Sequence, residues 1–321
     1  MNRLLRSVNW KWFIGVFAAG MAVLLCIMLH ISQNDSEDSF RIGATYMTMN
    51  NPFYSVIDEE LRLMIESRGD ILLTRDPALD QEKQNEQIHE LLAEGIDLLV
   101  INPVNFKQIQ PALEEAKAAG VPVVVVDSQV SDPSLVTCTI ASDNYGAGVL
   151  CAQHLMRTRD SAHIVLLEHP TAQSAVDRIQ GFCDTIAQKD AYQIVARANS
   201  EGQLEIAMPE LSALLDQDKQ IDTVMALNDP TAMGAMAALE EHHVLDQTLV
   251  YGVDGAPEAK GMITEGSLTG TVAQFPIQIG QTTAQTIYQI LSGENHPSEI
   301  TIPVKLITSE NIDQFDIDGW Q

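Results

Sequence analysis

Six polar residues close short apolar runs of this 321-residue chain in the same way. "DLLVIN" ends in Asn102, "PVVVVD" in Asp127, "DTVMALN" in Asn228, "LVYGVD" in Asp254 and "GTVAQ" in Gln274. Asn51 follows the run "FRIGATYM", with Pro52, Phe53 and Tyr54 directly after it. Amides and carboxylates bond to hydroxyl groups, often two at a time, and aromatic faces cover the C–H faces of a ring. Taken singly, each Asn or Asp reads first as a helix cap or turn residue, roles these side chains favour. Six of them at equivalent positions, with two aromatics beside the first, make the inventory that a small polyol requires.

The elements that would position them alternate. Ten β-branched or Leu-rich runs, among them "RIGATYM", "DILLT", "VTCTIAS", "HIVLLE" and "YQIVARA", are separated by segments of helical length. "QNEQIHELLAEG" carries Ile88, Leu91 and Leu92 on one face and ends in glycine; "PALEEAKAAG" has proline in its first turn and glycine at its end. Both are proper start and stop signals. Such alternation implies parallel sheets with helices on both faces, and ten strands exceed one small sheet. The expectation is two α/β domains. In open α/β sheets ligands sit beyond the carboxyl ends of the strands, where the six polar residues stand.

Composition narrows the function. Net charge is -26, from 44 acidic and 18 basic residues, a surface that repels phosphate backbones and excludes nucleic acid as a partner. No H-E-x-x-H, Cys/His cluster, G-x-S-x-G or Walker pattern occurs, and the first strand leads to "GATYMTMNNP" rather than G-x-G-x-x-G. Neither a metal, a cofactor nor a catalytic nucleophile is expected, and the eight histidines read as surface or capping residues. Cys138, Cys151 and Cys183 lie among apolar neighbours without C-x-x-C spacing and read as buried free thiols.

The N-terminus is a separate object. Arg3, Arg6 and Lys11 precede eighteen uncharged residues, 12–29, and Asp35, Glu37 and Asp38 follow. A membrane span needs about 17–25 apolar residues. Basic before and acidic after places 1–11 in the cytoplasm and everything from Phe40 outside, with 12–31 as an uncleaved transmembrane anchor and 32–39 as a linker. A removed signal peptide, or lipidation at Cys26, is the alternative; no A-x-A-like site follows, and Leu25 stands where a lipobox wants a small residue.

The ordered motifs "NNPFY", "LLVINP", "VPVVVVD", "IASDNYGAG", "DRIQGF", "ALNDPTAMGAMAAL", "VYGVDGAPE" and "GTVAQFPIQIG" resemble the periplasmic binding proteins of the ribose/galactose type. Each is weak alone, whereas the set covers nearly everything from Phe40 to Leu306. The resemblance implies a type I periplasmic-binding-protein fold: two doubly wound parallel-sheet lobes joined by a three-strand hinge. Lobe 1 would be 40–142 plus 275–305 and lobe 2 143–274 plus 306–321, with "SDNYGAG" and "AQFP" marking crossings. Asn51, Phe53, Tyr54, Asn102 and Asp127 would line the first lobe's side of the cleft, Arg178, Asn228 and Asp254 the second's, and Gln274 the hinge.

This sequence departs from the ribose-binding pattern at three places. Ser128 replaces an arginine, and Gly202 and Val253 stand where aromatics are expected. A pentose other than ribose, a hexose or a bulkier derivative fits such a pocket. The function implied is extracytoplasmic capture of a small carbohydrate and delivery to an ABC-type permease. The alternative is a membrane-anchored sensor signalling to a sensor kinase or chemoreceptor, and a third reading is an enzyme on the same fold.

Overall fold

The computed structural model describes residues 39–217 and 220–321, together with Met21. The segment expected to span a membrane, 12–31, lies outside the described residues but for Met21. Among the described residues no helix is long and apolar enough to cross a membrane.

In chain order the elements are β1 (Arg41–Thr45), α1 (Pro52–Glu66), β2 (Ile71–Arg75), α2 (Gln81–Ala93), β3 (Leu98–Ile101), α3 (Gln110–Ala118), β4 (Val123–Val126), β5 (Cys138–Ser142), α4 (Asn144–Thr158), β6 (Ala162–Glu168), α5 (Gln173–Ile186), β7 (Tyr192–Asn199), α6 (Leu204–Leu215), β8 (Thr223–Ala226), α7 (Asp229–Glu241), β9 (Leu249–Asp254), α8 (Pro257–Glu265), β10 (Gly270–Ala273), α9 (Pro276–Leu291), β11 (Glu299–Ile302) and β12 (Lys305–Thr308). They form two six-stranded sheets, ordered β11-β5-β4-β3-β1-β2 and β12-β10-β9-β8-β6-β7. β3 and β4, "LLVI" and "VVVV", are buried at every position, as central strands covered on both faces must be.

Three connections pass between the sheets. They run from β5 into α4, from β10 into α9, and directly from β11 to β12 across Pro303 and Val304. These last two strands were not among the ten expected. β11 pairs parallel to β5, but β12 pairs antiparallel to β10, with Gly270 opposite Thr308. A strand reached without a crossover helix has no return path and so enters its sheet reversed.

Capping explains where the helices start. Asn51 is extended, its Oδ1 accepts from Phe53 N at 3.0 Å, and Pro52 opens α1; Phe53, Ile57, Leu61 and Ile65 then bury one stripe. Asn228 Oδ1 accepts from Thr231 N at 3.0 Å and starts α7 in the same way. Each fully buried aliphatic on such a stripe contributes about 1.5–3 kcal/mol. Helices α4 and α5 approach to backbone contact through two glycines. A Cβ at Gly148 would lie 1.8 Å from the Arg178 carbonyl, and one at Gly181 would lie 2.1 Å from that of Tyr145.

Each sheet has a core on both faces. One core spans both sheets: Ala172, Ala175 and Leu227 pack into the cluster of Met47, Phe53 and Tyr54. The lobes are therefore closed on each other. Cys138 and Cys151 are buried free thiols, with burial pushing the Cys138 thiol up to about 11. Cys183 differs from expectation: it is only partly buried, beside Arg197 at 3.6 Å.

Candidate functional site

The carboxyl ends of both sheets face one small cavity of about 30 Å³. Asn51, Phe53, Tyr54, Asp127, Arg178, Asn228, Asp254 and Gln274 all line it. The two lobes shut it by direct bonds. Ser174 N donates to Ser128 Oγ at 3.1 Å, Phe106 N to the Thr171 carbonyl at 3.1 Å, and Asn50 Nδ2 to Gln203 Oε1 at 3.1 Å.

Arg178, on α5, is the cation at the centre. Its Nε donates to Asn144 Oδ1 at 2.8 Å and its Nη1 to the Leu227 carbonyl at 3.0 Å, two neutral acceptors that fix the guanidinium plane. Its ionic contacts are looser, with Nη2 3.7 Å from Asp127 Oδ1 and Nη1 3.8 Å from Asp254 Oδ1. Neither is a hydrogen bond at that distance.

The two aspartates are held from behind. Tyr54 Oη donates to Asp127 Oδ2 at 3.2 Å, and Gln274 Nε2 donates to Asp254 Oδ1 at 2.8 Å. Both residues have positive φ, 66° for Asp127 and 138° for Asp254. Such backbone costs about 1–3 kcal/mol per residue and persists where the surroundings over-determine it, typically at functional sites. Three buried acceptors are left without a partner: Asp127 Oδ1, Asp254 Oδ2 and Gln274 Oε1.

The electrostatics follow from burial. Desolvation raises the Asp127 carboxyl against the pull of Arg178. It raises Asp254 well above the carboxylate range, with the charge of Asp229 adding to the effect. Asp229, fully buried under Thr271 Oγ1 (2.6 Å) and Ala256 N (2.8 Å), is pushed up to about 6. One guanidinium thus stands among three desolvated carboxyls, an arrangement that hydroxyl donors would relieve.

Asn102 is a correction to the expected site. It is fully buried behind Asp127 and does not line the cavity. Its Nδ2 donates to the Val126 carbonyl at 3.1 Å and lies 3.3 Å from Asp127 Oδ2, while its Oδ1 accepts from Met47 N at 3.2 Å. At the end of a central strand its amide is consumed by its neighbours, so it positions Asp127. Asn51 and Asn228 are caps and lining residues at once. Asn228 also donates one N–H to the Gly202 carbonyl at 3.1 Å. Phe53 meets Tyr54 edge-on at 5.6 Å and Trp320 at 5.9 Å.

Of the three departures, Ser128 is an interlobe acceptor and Gly202 lines the cavity. Val253 is not a wall; it is fully buried in the core under Cys151 and Tyr251, because alternate positions of β9 face opposite sides.

Lining residues missed by sequence include His169, Ser174 and Gln203. His169 immediately follows β6, so the strand-end rule points to it, although histidines were read as surface or capping groups. It is 6% exposed, its Nε2 is 2.9 Å from Thr171 Oγ1, and burial holds the ring near pKa 4, hence neutral. Ser174 and Gln203 have no signature beyond their place at helix starts. Among the described residues no group of three His, Cys, Asp or Glu is arranged to hold a metal ion.

A family model described as "Periplasmic binding protein domain" matches residues 42–295. The ribose import binding protein of Bacillus subtilis is 31% identical over 281 residues, covering 87% of this chain and 90% of that protein. Among solved structures, an ABC transporter solute-binding protein from Mycobacterium smegmatis with bound glycerol superposes with a TM-score of 0.82 at 28% identity, covering 88% of this chain and 98% of that one. The periplasmic binding protein of the arabinose ABC transporter from Shewanella sp. ANA-3, bound to L-arabinofuranose, gives 0.80 at 28% identity, covering 85% and 93%.

Proposed function

Because the chain belongs to the periplasmic binding protein family, we propose that it captures a small carbohydrate between its lobes outside the cytoplasm and presents it to an ABC-type sugar permease. The observation that carries this reading is the set of three buried acceptors without a hydrogen-bond partner, Asp127 Oδ1, Asp254 Oδ2 and Gln274 Oε1, on residues that line one cavity beside Arg178. Three acceptors and a guanidinium match a ligand that offers several O–H donors and oxygen acceptors together, and charge-assisted bonds of this kind are the strong ones. A sugar does so; an apolar or anionic solute does not.

The mechanism is hinge closure, for which periplasmic binding proteins are a standing example. Tyr54, Asn51 and Asp127 would receive the sugar on lobe 1, 40–142 with 275–302, the expected bound of 305 moving back because Lys305 already pairs in the second sheet. Lobe 2, 143–274 with 305–321, would bring Arg178 and Asp254 over it, forming the Ser128–Ser174 and Asn50–Gln203 bonds. Moving the equilibrium from 1:99 to 99:1 takes about 5.5 kcal/mol of preference for the closed form. The uncharged run 12–29 supports tethering of the binding domain to the outer face of a membrane.

The test is a thermal shift of the full-length chain against pentoses, hexoses and cyclic polyols. Ligand at 100 times Kd adds about 2.7 kcal/mol of stability. A shift that Asp127→Ala abolishes supports the cleft; a melt that no member of the panel moves refutes the carbohydrate reading.

A further inference from the structure

Outside the cavity the space between the lobes widens into a second hollow of about 500 Å³. Its walls are largely apolar: Pro52, Leu204, Pro230, Met233, Ala256 and Trp320. Asn51, Gly202, Gln203 and Asp254 line both spaces, so the two adjoin, with the interlobe Asn50–Gln203 bond beside the shared wall. Gly202 stands at their boundary. A Cβ there would lie 3.2 Å from Asn228 Nδ2 and 3.8 Å from His169 Nδ1, both cavity residues, so any longer side chain would stand across the passage. Its φ of +71° is left-handed, which disfavours one. Trp320 packs against the cores of both lobes, so this aromatic wall is in place when the lobes are shut.

The inner and outer spaces ask for different chemistry. The inner one presents partnerless carboxylate and amide oxygens beside Arg178 and suits a polyol. The outer one presents a proline, methionine, leucine and tryptophan surface edged by Asn50 and by the carboxyl residues Glu205, Asp229, Asp254 and Glu258, and suits an uncharged group with an apolar face. We propose that the natural ligand is a glycoside: a sugar head in the cavity, joined past Gly202 to an aglycone or second ring that lies against Met233, Pro230 and Trp320. This inference rests on the carbohydrate reading of the cavity and specifies what that sugar carries.

Titration calorimetry on the full-length protein separates the two. The probes are free D-ribose, L-arabinose, D-galactose and D-allose, each beside its phenyl α- and β-glycoside. The expected result is one phenyl glycoside that binds about tenfold or more tightly than its parent sugar. Met233→Asp should erase most of that advantage while changing the parent sugar's affinity by less than about twofold, and Met233→Ala should erase part of it. Met233 is only partly buried, so neither variant threatens folding. Free sugars that bind while their glycosides bind no better, or a glycoside advantage that survives Met233→Asp, overturn the proposal and leave the carbohydrate reading standing. Failure of both free sugars and glycosides to bind overturns both.

Discussion

Ser128, two residues after β4 in the first lobe, accepts a hydrogen bond at 3.1 Å from the backbone N–H of Ser174 at the start of α5 in the second. Ser128 is fully buried, so the bond exists only with the lobes together. It satisfies one of the N–H groups that the beginning of a helix otherwise leaves open. Ser128→Ala should therefore weaken sugar binding by roughly two- to tenfold, the worth of one net hydrogen bond. Calorimetry reads the affinity, and small-angle scattering of the unliganded protein should show a more open population.

Arg178 and Asp254 should respond in opposite ways to neutralisation. Arg178→Ala leaves Asp127 and Asp254 buried without their cation, and breaking a buried pair in this way costs about 3–5 kcal/mol. The variant should melt well below wild type and bind no sugar. Asp254→Asn removes a carboxyl already disfavoured by burial and by Asp229. It should match or exceed the wild-type melting temperature when empty, yet lose binding by tenfold or more, about 1.4 kcal/mol, for want of a charged acceptor. A denaturant melt with and without sugar checks both.

His169 sets an acid limit. Its ring is held near 4 in the folded chain, against about 6.5 when unfolded. The unfolded chain takes up a proton that the folded one refuses, so this contribution is intact above about pH 6.5 and is lost as pH falls toward 4. Wild type should lose about 2 kcal/mol more than His169→Gln between pH 7 and pH 5. The raised Asp229 acts with the opposite sign, its cost easing as pH falls through about 6, but it is present in both proteins and cancels in the difference. Chemical denaturation at the two pH values measures it.

Gly148 reaches the site without touching it. A methyl at this position would meet the Arg178 carbonyl, so α5 must move off α4 and carry the guanidinium away from Asn144 and the two aspartates. Overpacking of this sort costs about 1–3 kcal/mol. Gly148→Ala should lower the melting point and reduce affinity together, whereas Gly261→Ala, on α8 with open space around it, should do neither.

The α/β alternation and the cluster of strand-end residues were legible because both depend on local chemistry: β-branched runs, prolines opening helices and glycines closing them. The rule that ligands meet strand ends brought Asn51, Phe53, Tyr54, Asp127, Asn228, Asp254 and Gln274 to the cavity, whereas Arg178, inside a helix, was reached only through the family resemblance. It mislaid Asn102 because the end of a strand does not reveal whether an amide faces the cleft or its neighbouring strands. Val253 illustrates the same gap one residue before Asp254. β11 and β12 were invisible because "EITIPVKLIT" is short, partly exposed and broken by proline. Trp320 gave no signal at all, since its meeting with Phe53 depends on where the tail is carried by the fold.

The three chain crossings between the sheets carry a mechanical consequence. A pair of bodies joined by one strand can swivel, shear and drift. Joined at three neighbouring places, one of them only Pro303 and Val304 long, they retain a single soft degree of freedom, rotation about the line through the crossings. Each closure must then return Arg178 and Asp254 of the second lobe to the same spot beside Asp127 of the first, so a buried pair divided between two moving bodies is remade in register every time.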